Sequence, residues 1–152
     1  DWSWSRGLGD VYKRQVASID PSVVNLLDST SFIPVIAPIG IGDDYKTYNI
    51  NADIVAGKIA KILQAGKYVM LTNTAGVFDD DGNLIKSMNA EQVRQFVKKG
   101  TISSGMLPKV ESALEAVSAG VHNVQIIDGT IEHALLLELF TDEGVGTMIR
   151  RT

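Results

Sequence analysis

Cysteine is absent from the sequence, which excludes a disulfide scaffold, a thiolate zinc site and a cysteine nucleophile. Histidine occurs only at His122 and His133, too few for an imidazole metal constellation, and no Ser/His/Asp spacing supports a hydrolytic triad. No apolar run approaches the roughly 20 residues that a membrane helix needs. Positive charge is also short, with 14 basic against 18 acidic residues and a net charge of -4. Neither nucleic acid nor an anionic membrane surface is therefore an expected partner. What is present is ordinary for a globular protein: 45% hydrophobic and 21% charged over 152 residues, enough for one domain with a real core and too little for two. This suits a cytoplasmic enzyme without establishing one.

The first fifteen residues, DWSWSRGLGDVYKRQ, differ from the rest. They hold both tryptophans of the chain, Trp2 and Trp4, and show neither helical nor alternating apolar period. No apolar stretch follows their basic residues as it would in a signal peptide. Asp10 to Gln15 is also what the codons GAT GTG TAT AAG AGA CAG encode, which resembles a transposon end used in shotgun-library construction. The expectation is that residues 1–15 form a non-native, disordered leader and that residues 16–152 are the domain proper.

From Val16 onward apolar runs and amphipathic stretches alternate. Asp20-Pro21 has the N-cap and first-turn proline of a helix with Val23, Val24, Leu26 and Leu27 as its buried stripe. Residues 32–37, FIPVIA, read as a strand buried on both faces. Val55, Ile59, Ile62 and Leu63 share a face of a helix over 52–64, stopped by Gly66. Tyr68 to Leu71 is a second buried strand. Asn89 with Gln92 forms a capping-box start to a helix carrying Val93, Phe96 and Val97 and ended by Gly100. Pro108 opens a helix with Val110, Leu114 and Val117 inward, ended by Gly120. Val121 to Ile127 is a third strand, Glu132 to Leu139 a short helix and Thr147 to Ile149 an edge strand. Such alternation predicts an α/β fold, a three-layer αβα sandwich on a mainly parallel sheet.

In open α/β sheets, ligands gather at the carboxyl ends of strands and at helix N-termini. Three segments fall in such places. In Tyr48-Asn49-Ile50-Asn51-Ala52-Asp53, the amides of Asn49 and Asn51 point the same way if the chain is extended, and amides suit an N-acylated amino acid. The same residues also suit plain helix capping. Leu71 to Phe78, LTNTAGVF, runs from a strand into a loop of small and hydroxyl residues that suits a nucleotide, or any turn of an α/β fold. The Asp79-Asp80-Asp81-Gly82-Asn83 run lacks the ligand spacing of an EF-hand and reads as a solvated turn. In Thr101 to Val110, TISSGMLPKV, Lys109 lies in the first turn of a helix, where the helix dipole opposes a cation unless an anion sits there too. A solvated lysine paired with neighbouring acids is the other reading.

Taken in order, FIPVIAPIG, YNINAD, LTNTAGV, GTISSGMLPKVESALEA and HALLLELFTDEGVGTMI resemble the acetylglutamate kinases of the amino acid kinase family. The resemblance covers Val16 to Arg150, and NINAD followed by GMLPKV is its most specific part. It implies the amino acid kinase fold and transfer of the γ-phosphoryl of ATP, with Mg²⁺, to the γ-carboxylate of N-acetyl-L-glutamate in arginine biosynthesis. It implies that Asn49 binds acetylglutamate with Asn51 close by, that Asp53 holds catalytic lysines, and that Lys109 stabilises charge on the phosphates. It places Asn73, Thr74, Ala75, Gly76, Val77 and Phe78, with Thr101, Ile102 and Ser103, along ATP. Asn73 stands where the family often has aspartate. His133, Glu138, Gly144 and Gly146 resemble the ending that forms the feedback site of arginine-inhibited, homo-oligomeric members. Other readings are a non-catalytic nucleotide- or arginine-binding module and an amino acid kinase with another acyl acceptor. In the family, an upstream half holds the first catalytic lysine, a glycine-rich loop and a substrate-gripping arginine, and nothing before Val16 matches these. The chain by itself is thus expected to show no turnover in a coupled ATP assay with N-acetylglutamate, and measurable turnover would refute this.

Overall fold

A computed structural model describes residues 16–102, 105–141 and 144–151. The expected leader at 1–15, and Ser103 of the expected nucleotide segment, lie outside the described residues. In chain order the elements are α1 (Ser22–Ser29), β1 (Ile39–Ile41), β2 (Thr47–Asn49), α2 (Ala52–Ile62), β3 (Lys67–Thr72), β4 (Ser87–Asn89), α3 (Ala90–Lys99), α4 (Leu107–Ser118), β5 (Asn123–Asp128), α5 (Ala134–Phe140) and β6 (Thr147–Arg150).

The main sheet has strand order β3-β5-β6-β4. β3 and β5 are parallel, running from Lys67 opposite Asn123 to Thr72 opposite Asp128. β4 and β6 are also parallel, and the two pairs are joined by the antiparallel contact of β5 with β6. β5 is buried on both faces, because alternate side chains of a strand point opposite ways. Val124 and Ile126 join the core with Val110, Ala113 and Val117 of α4. Gln125, from the opposite face, hydrogen-bonds to Glu138 of α5 at 2.6 Å. Helices thus flank the sheet on both sides, as the alternation of apolar periods predicts.

Several local expectations need correction. β6 is not an edge strand: Thr147 and Ile149 are fully buried, and β4 covers its outer side. β4 is Ser-Met-Asn, too short and polar to announce itself. Residues 32–37 form no strand; Ile33 and Val35 are 91% and 96% exposed. Pro34 removes a ladder donor, and among the described residues no strand pairs with the segment. The stripe of α1 is likewise unpacked, with no buried residue in that helix. An apolar run reports a preference for burial but cannot supply the neighbour that buries it. Pro21 is the N-cap of α1, and Asp20 accepts from Ser22 N at 2.9 Å. Gly66 does not stop α2. Gln64 turns the chain with φ 48°, and its side-chain amide donates to Lys61 O and Ala119 O at 2.6 and 3.1 Å, tying the ends of α2 and α4.

The β1–β2 hairpin also escapes the apolar pattern; its turn places Tyr45 at φ 58°. The start and stop of α3 are as expected. The Asn89 side chain accepts from Gln92 N at 2.8 Å, the Gln92 side chain accepts from Asn89 N at 2.9 Å, and Gly100 closes the helix at φ 77°. Asn89→Ala should therefore lower unfolding free energy by about 1 kcal/mol, and Asn89→Asp by less than half of that, as read from urea denaturation at neutral pH.

Candidate functional site

Two helix N-termini meet at an ion pair. Asn51, at the N-cap of α2, accepts from Asp53 N at 2.9 Å, so the capping reading of Asn51 describes its side-chain oxygen. The carboxylate of Asp53, in the same first turn, accepts from Lys109 Nζ at 2.7 Å. Lys109 lies in the first turn of α4, after Pro108. The two side chains are 22% and 23% exposed, reachable from solvent yet shielded. A pair of this kind contributes on the order of 1 kcal/mol to stability. Its larger consequence is positional: it fixes an ammonium at a helix N-terminus, where an anion would be doubly attracted. Asn49 is the last residue of β2 and exposed, two residues before Asn51.

The loop after β3 is built on β6. Gly76 has φ 146°, and a Cβ there would lie 2.5 Å from Thr147 Oγ1. That hydroxyl accepts from Val77 N at 2.8 Å and donates to Ile85 O at 2.7 Å. Val77 is buried in the core, and Ile85 N returns to Val77 O at 2.9 Å. Of the predicted nucleotide residues, Gly76 and Val77 are thus consumed in holding the loop. Asn73, Thr74 and Phe78 are exposed and Ala75 is half-buried. Beside the loop, Gly129 N donates to Thr72 O at 2.7 Å, closing the carboxyl ends of β3 and β5 together. Thr101 is half-buried and Ile102 sits in the core. In the neighbouring turn, bonds from the backbone around Asn83 hold the Asp79 carboxyl below its ordinary range, so this aspartate closes the turn.

The four residues of the third predicted group are divided. His133 is exposed at φ 59° and lies 3.4 Å from Glu132. Glu138 is buried: its carboxylate accepts from Lys67 Nζ at 2.8 Å, Gln125 Nε2 at 2.6 Å and Val145 N at 3.1 Å. Burial pushes its pKa up, but Lys67, Gln125 and the Val145 amide outweigh burial and leave it lowered. Gly144 faces open space at φ 54°, whereas a Cβ on Gly146 would collide with the Ile126 carbonyl. Lys67, Gln125 and Thr147 carry no local signal of these roles. A groove of about 390 Å³ between residues 34–38 and α2 is mainly apolar and includes neither Asp53 nor Lys109.

The sequence model of the amino acid kinase family matches residues 4–128. The chain is 58% identical over 136 residues to the acetylglutamate kinase of Azoarcus sp. (strain BH72), covering 90% of this chain and 45% of that protein. It therefore spans a little under half the length of the curated relatives it matches. Among solved structures, an N-acetylglutamate synthase from Neisseria gonorrhoeae, complexed with coenzyme A and N-acetyl-glutamate, superposes with TM-score 0.84 at 31% identity, over 90% of this chain and 32% of that one. A Giardia carbamate kinase superposes with TM-score 0.67 at 19% identity, over 86% and 47% of the two chains, which is a likeness of fold alone.

Glu138 offers a test of the clamp it makes. Its folded-state pKa lies below the ordinary value of about 4.3, so its stabilisation is fully present above that pH and is lost as pH falls through the lower folded value. In urea denaturation, Glu138→Gln should lose about 2–3 kcal/mol relative to the parent chain at pH 7, and the gap should narrow steadily below pH 4. A gap independent of pH would mean that the carboxylate charge does not hold the clamp.

Proposed function

Because the chain belongs to the amino acid kinase family, we propose that it forms the nucleotide-facing part of an acetylglutamate kinase, which moves the γ-phosphoryl of ATP to the γ-carboxylate of N-acetyl-L-glutamate. The observation that carries this reading is the 2.7 Å pair of Asp53 with Lys109 at two facing helix N-termini, in a chain 58% identical to an acetylglutamate kinase.

Phosphoryl transfer asks little covalent chemistry of a protein; positioning and charge stabilisation supply most of the rate. Lys109 provides a cation where negative charge spreads over the transferred group, and the N-terminus of α4 adds its partial positive charge. Asp53 keeps that ammonium from swinging into solvent. Since the Asp53 carboxylate is engaged by Lys109, Mg²⁺ would be carried by the nucleotide's phosphates, as is usual for this ion. Asn73 and Thr74 border the nucleotide, with Gly76 and Val77 shaping the loop beneath them. Asn73 donates and accepts hydrogen bonds but brings no charge, so it orients a ligand without adding to the field. Asn49 and the free donor capacity of the Asn51 amide suit the acetylated substrate.

Arginine binding belongs to the segment from His133 to Gly146. Glu138 acts there indirectly, through the Val145 amide it holds, and His133 is the exposed group. A cytoplasmic, homo-oligomeric whole enzyme follows from the same reading.

The test joins this chain to the portion of the Azoarcus relative that it does not cover, and measures ADP release with N-acetyl-L-glutamate, glutamate and aspartate. Turnover should be confined to the acetylated substrate. Lys109→Met and Asp53→Asn should each lower kcat by roughly 10²–10³-fold with KM changed only a few-fold. Activity unchanged by either substitution would sink the assignment.

A further inference from the structure

Asp53 is held at two points. Its carboxylate takes Lys109, while its backbone carbonyl accepts from Ser112 Oγ at 2.9 Å and from Tyr68 OH at 3.1 Å. Lys109 and Ser112 are three residues apart on α4 and so share a face. One face of one helix therefore grips both ends of a single residue on α2. Tyr68 reaches the same carbonyl from β3, on the sheet. Ser112 and Tyr68 are 9% and 7% exposed, so neither bond competes with bulk water. Burial above all, and the Asp53 charge in addition, raise the Tyr68 phenol to about 12. It therefore remains a donor at every pH at which the protein would work.

A third residue permits this arrangement. Gly57 lies one turn along α2 from Asp53 and is buried, and a Cβ there would strike Ser112 Oγ. Glycine costs a helix interior roughly 0.5–1 kcal/mol relative to alanine. Here it lets α2 and α4 approach closely enough for the serine to reach the carbonyl.

We propose that Tyr68 and Ser112, with Gly57 making room for them, are positioning residues that set where the Asp53 carboxylate sits and thereby hold Lys109 at the N-terminus of α4. Their catalytic meaning rests on the function proposed above, but the positioning itself does not. None of the three touches reacting groups. Their chemistry is to pin one backbone oxygen to the sheet and to the partner helix, so that the first turn of α2 cannot fray and carry the carboxylate away.

The test uses the 152-residue chain and trace acetylation of lysines by acetic anhydride, with the Lys109 peptide quantified by mass spectrometry against the exposed Lys61. Tyr68→Phe and Ser112→Ala should each raise Lys109 labelling about threefold, and the double variant about tenfold, as expected for losing one and then both bonds to the carbonyl. Gly57→Ala should resemble Ser112→Ala. Val93→Ala, a core truncation on the neighbouring α3 that removes none of the clamp's hydrogen bonds, should lower thermal stability yet leave Lys109 labelling at the parent rate. The proposal is overturned if both single variants, folded by circular dichroism, label Lys109 at the parent rate, or if Val93→Ala raises labelling as much as they do. Should the double variant fail to fold, the singles decide. Labelling that rises as stated in a chain whose fused form shows no kinase turnover would retain the clamp and discard the kinase reading. Unchanged labelling beside full turnover would do the reverse.

Discussion

A lysine at the amino end of a helix is opposed by the partial positive charge of unsatisfied backbone N–H groups, by about 0.3–1 kcal/mol. Lys109 occupies such a place, in the first turn of α4, and the Asp53 carboxylate 2.7 Å away removes the conflict. Much of the surrounding structure can be understood as what is needed to keep that carboxylate there. Asn51 caps the turn from which it projects, α4 packs along α2, and β3 supplies Tyr68 from below. Remove the aspartate and the ammonium would swing out into water, where its hydration is better. With the aspartate in place, the cation is held beside a helix N-terminus, a combination suited to an anionic ligand.

The loops around the sheet obey a similar rule. Buried polar groups are costly unless their bonding capacity is met, and two of them, Thr147 and Glu138, meet it by tying distant segments. Thr147 serves Val77 and Ile85 with one hydroxyl, so the loop after β3 is fixed to β6. Glu138 gathers donors from β3, β5 and the 144–146 segment. Its three donors explain why a carboxylate can be buried there and remain ionised. These bonds orient glycine-bearing loops that have few side chains to hold them by packing.

How much of this was legible depended on distance along the chain. The capping box of Asn89 and Gln92 and the stop at Gly100 need only local chemistry, and both were readable as written. The parallel sheet followed from alternating periods, and the core positions Val93, Val110 and Val117 from helical spacing. The segment 32–37 and the stripe of α1 misled because hydrophobicity reports a tendency to be buried, and burial requires a partner that periodicity cannot name. β4 was invisible because three residues carry no period. The roles of Thr147, Tyr68 and Ser112 were beyond reach for another reason. Their partners lie 70, 15 and 59 residues away in sequence, and nothing in a serine or tyrosine announces which carbonyl it will meet.

The site also separates what the fold explains from what the side chains explain. A carbamate kinase at 19% identity shares the architecture, and an acetylglutamate synthase shares it more closely, so the sheet and its helices do not choose the chemistry. A helix N-terminus with a lysine will attract phosphate in many settings. Selection of an acylated amino acid, if the proposed function holds, would need groups that can both donate and accept at fixed positions, since a bare cation cannot tell one carboxylate from another. Under the proposed function, Asn49 and Asn51 would supply such groups, on a path where a strand ends and a helix begins within four residues. The cap bond of Asn51 fixes the direction of that path. The clamp on Asp53 fixes its depth, and through Lys109 the same residue sets the place of the charge. If the function proposed above holds, substrate selection and charge placement would be linked through the short path from the end of β2 into the first turn of α2, so a change in either would disturb the other.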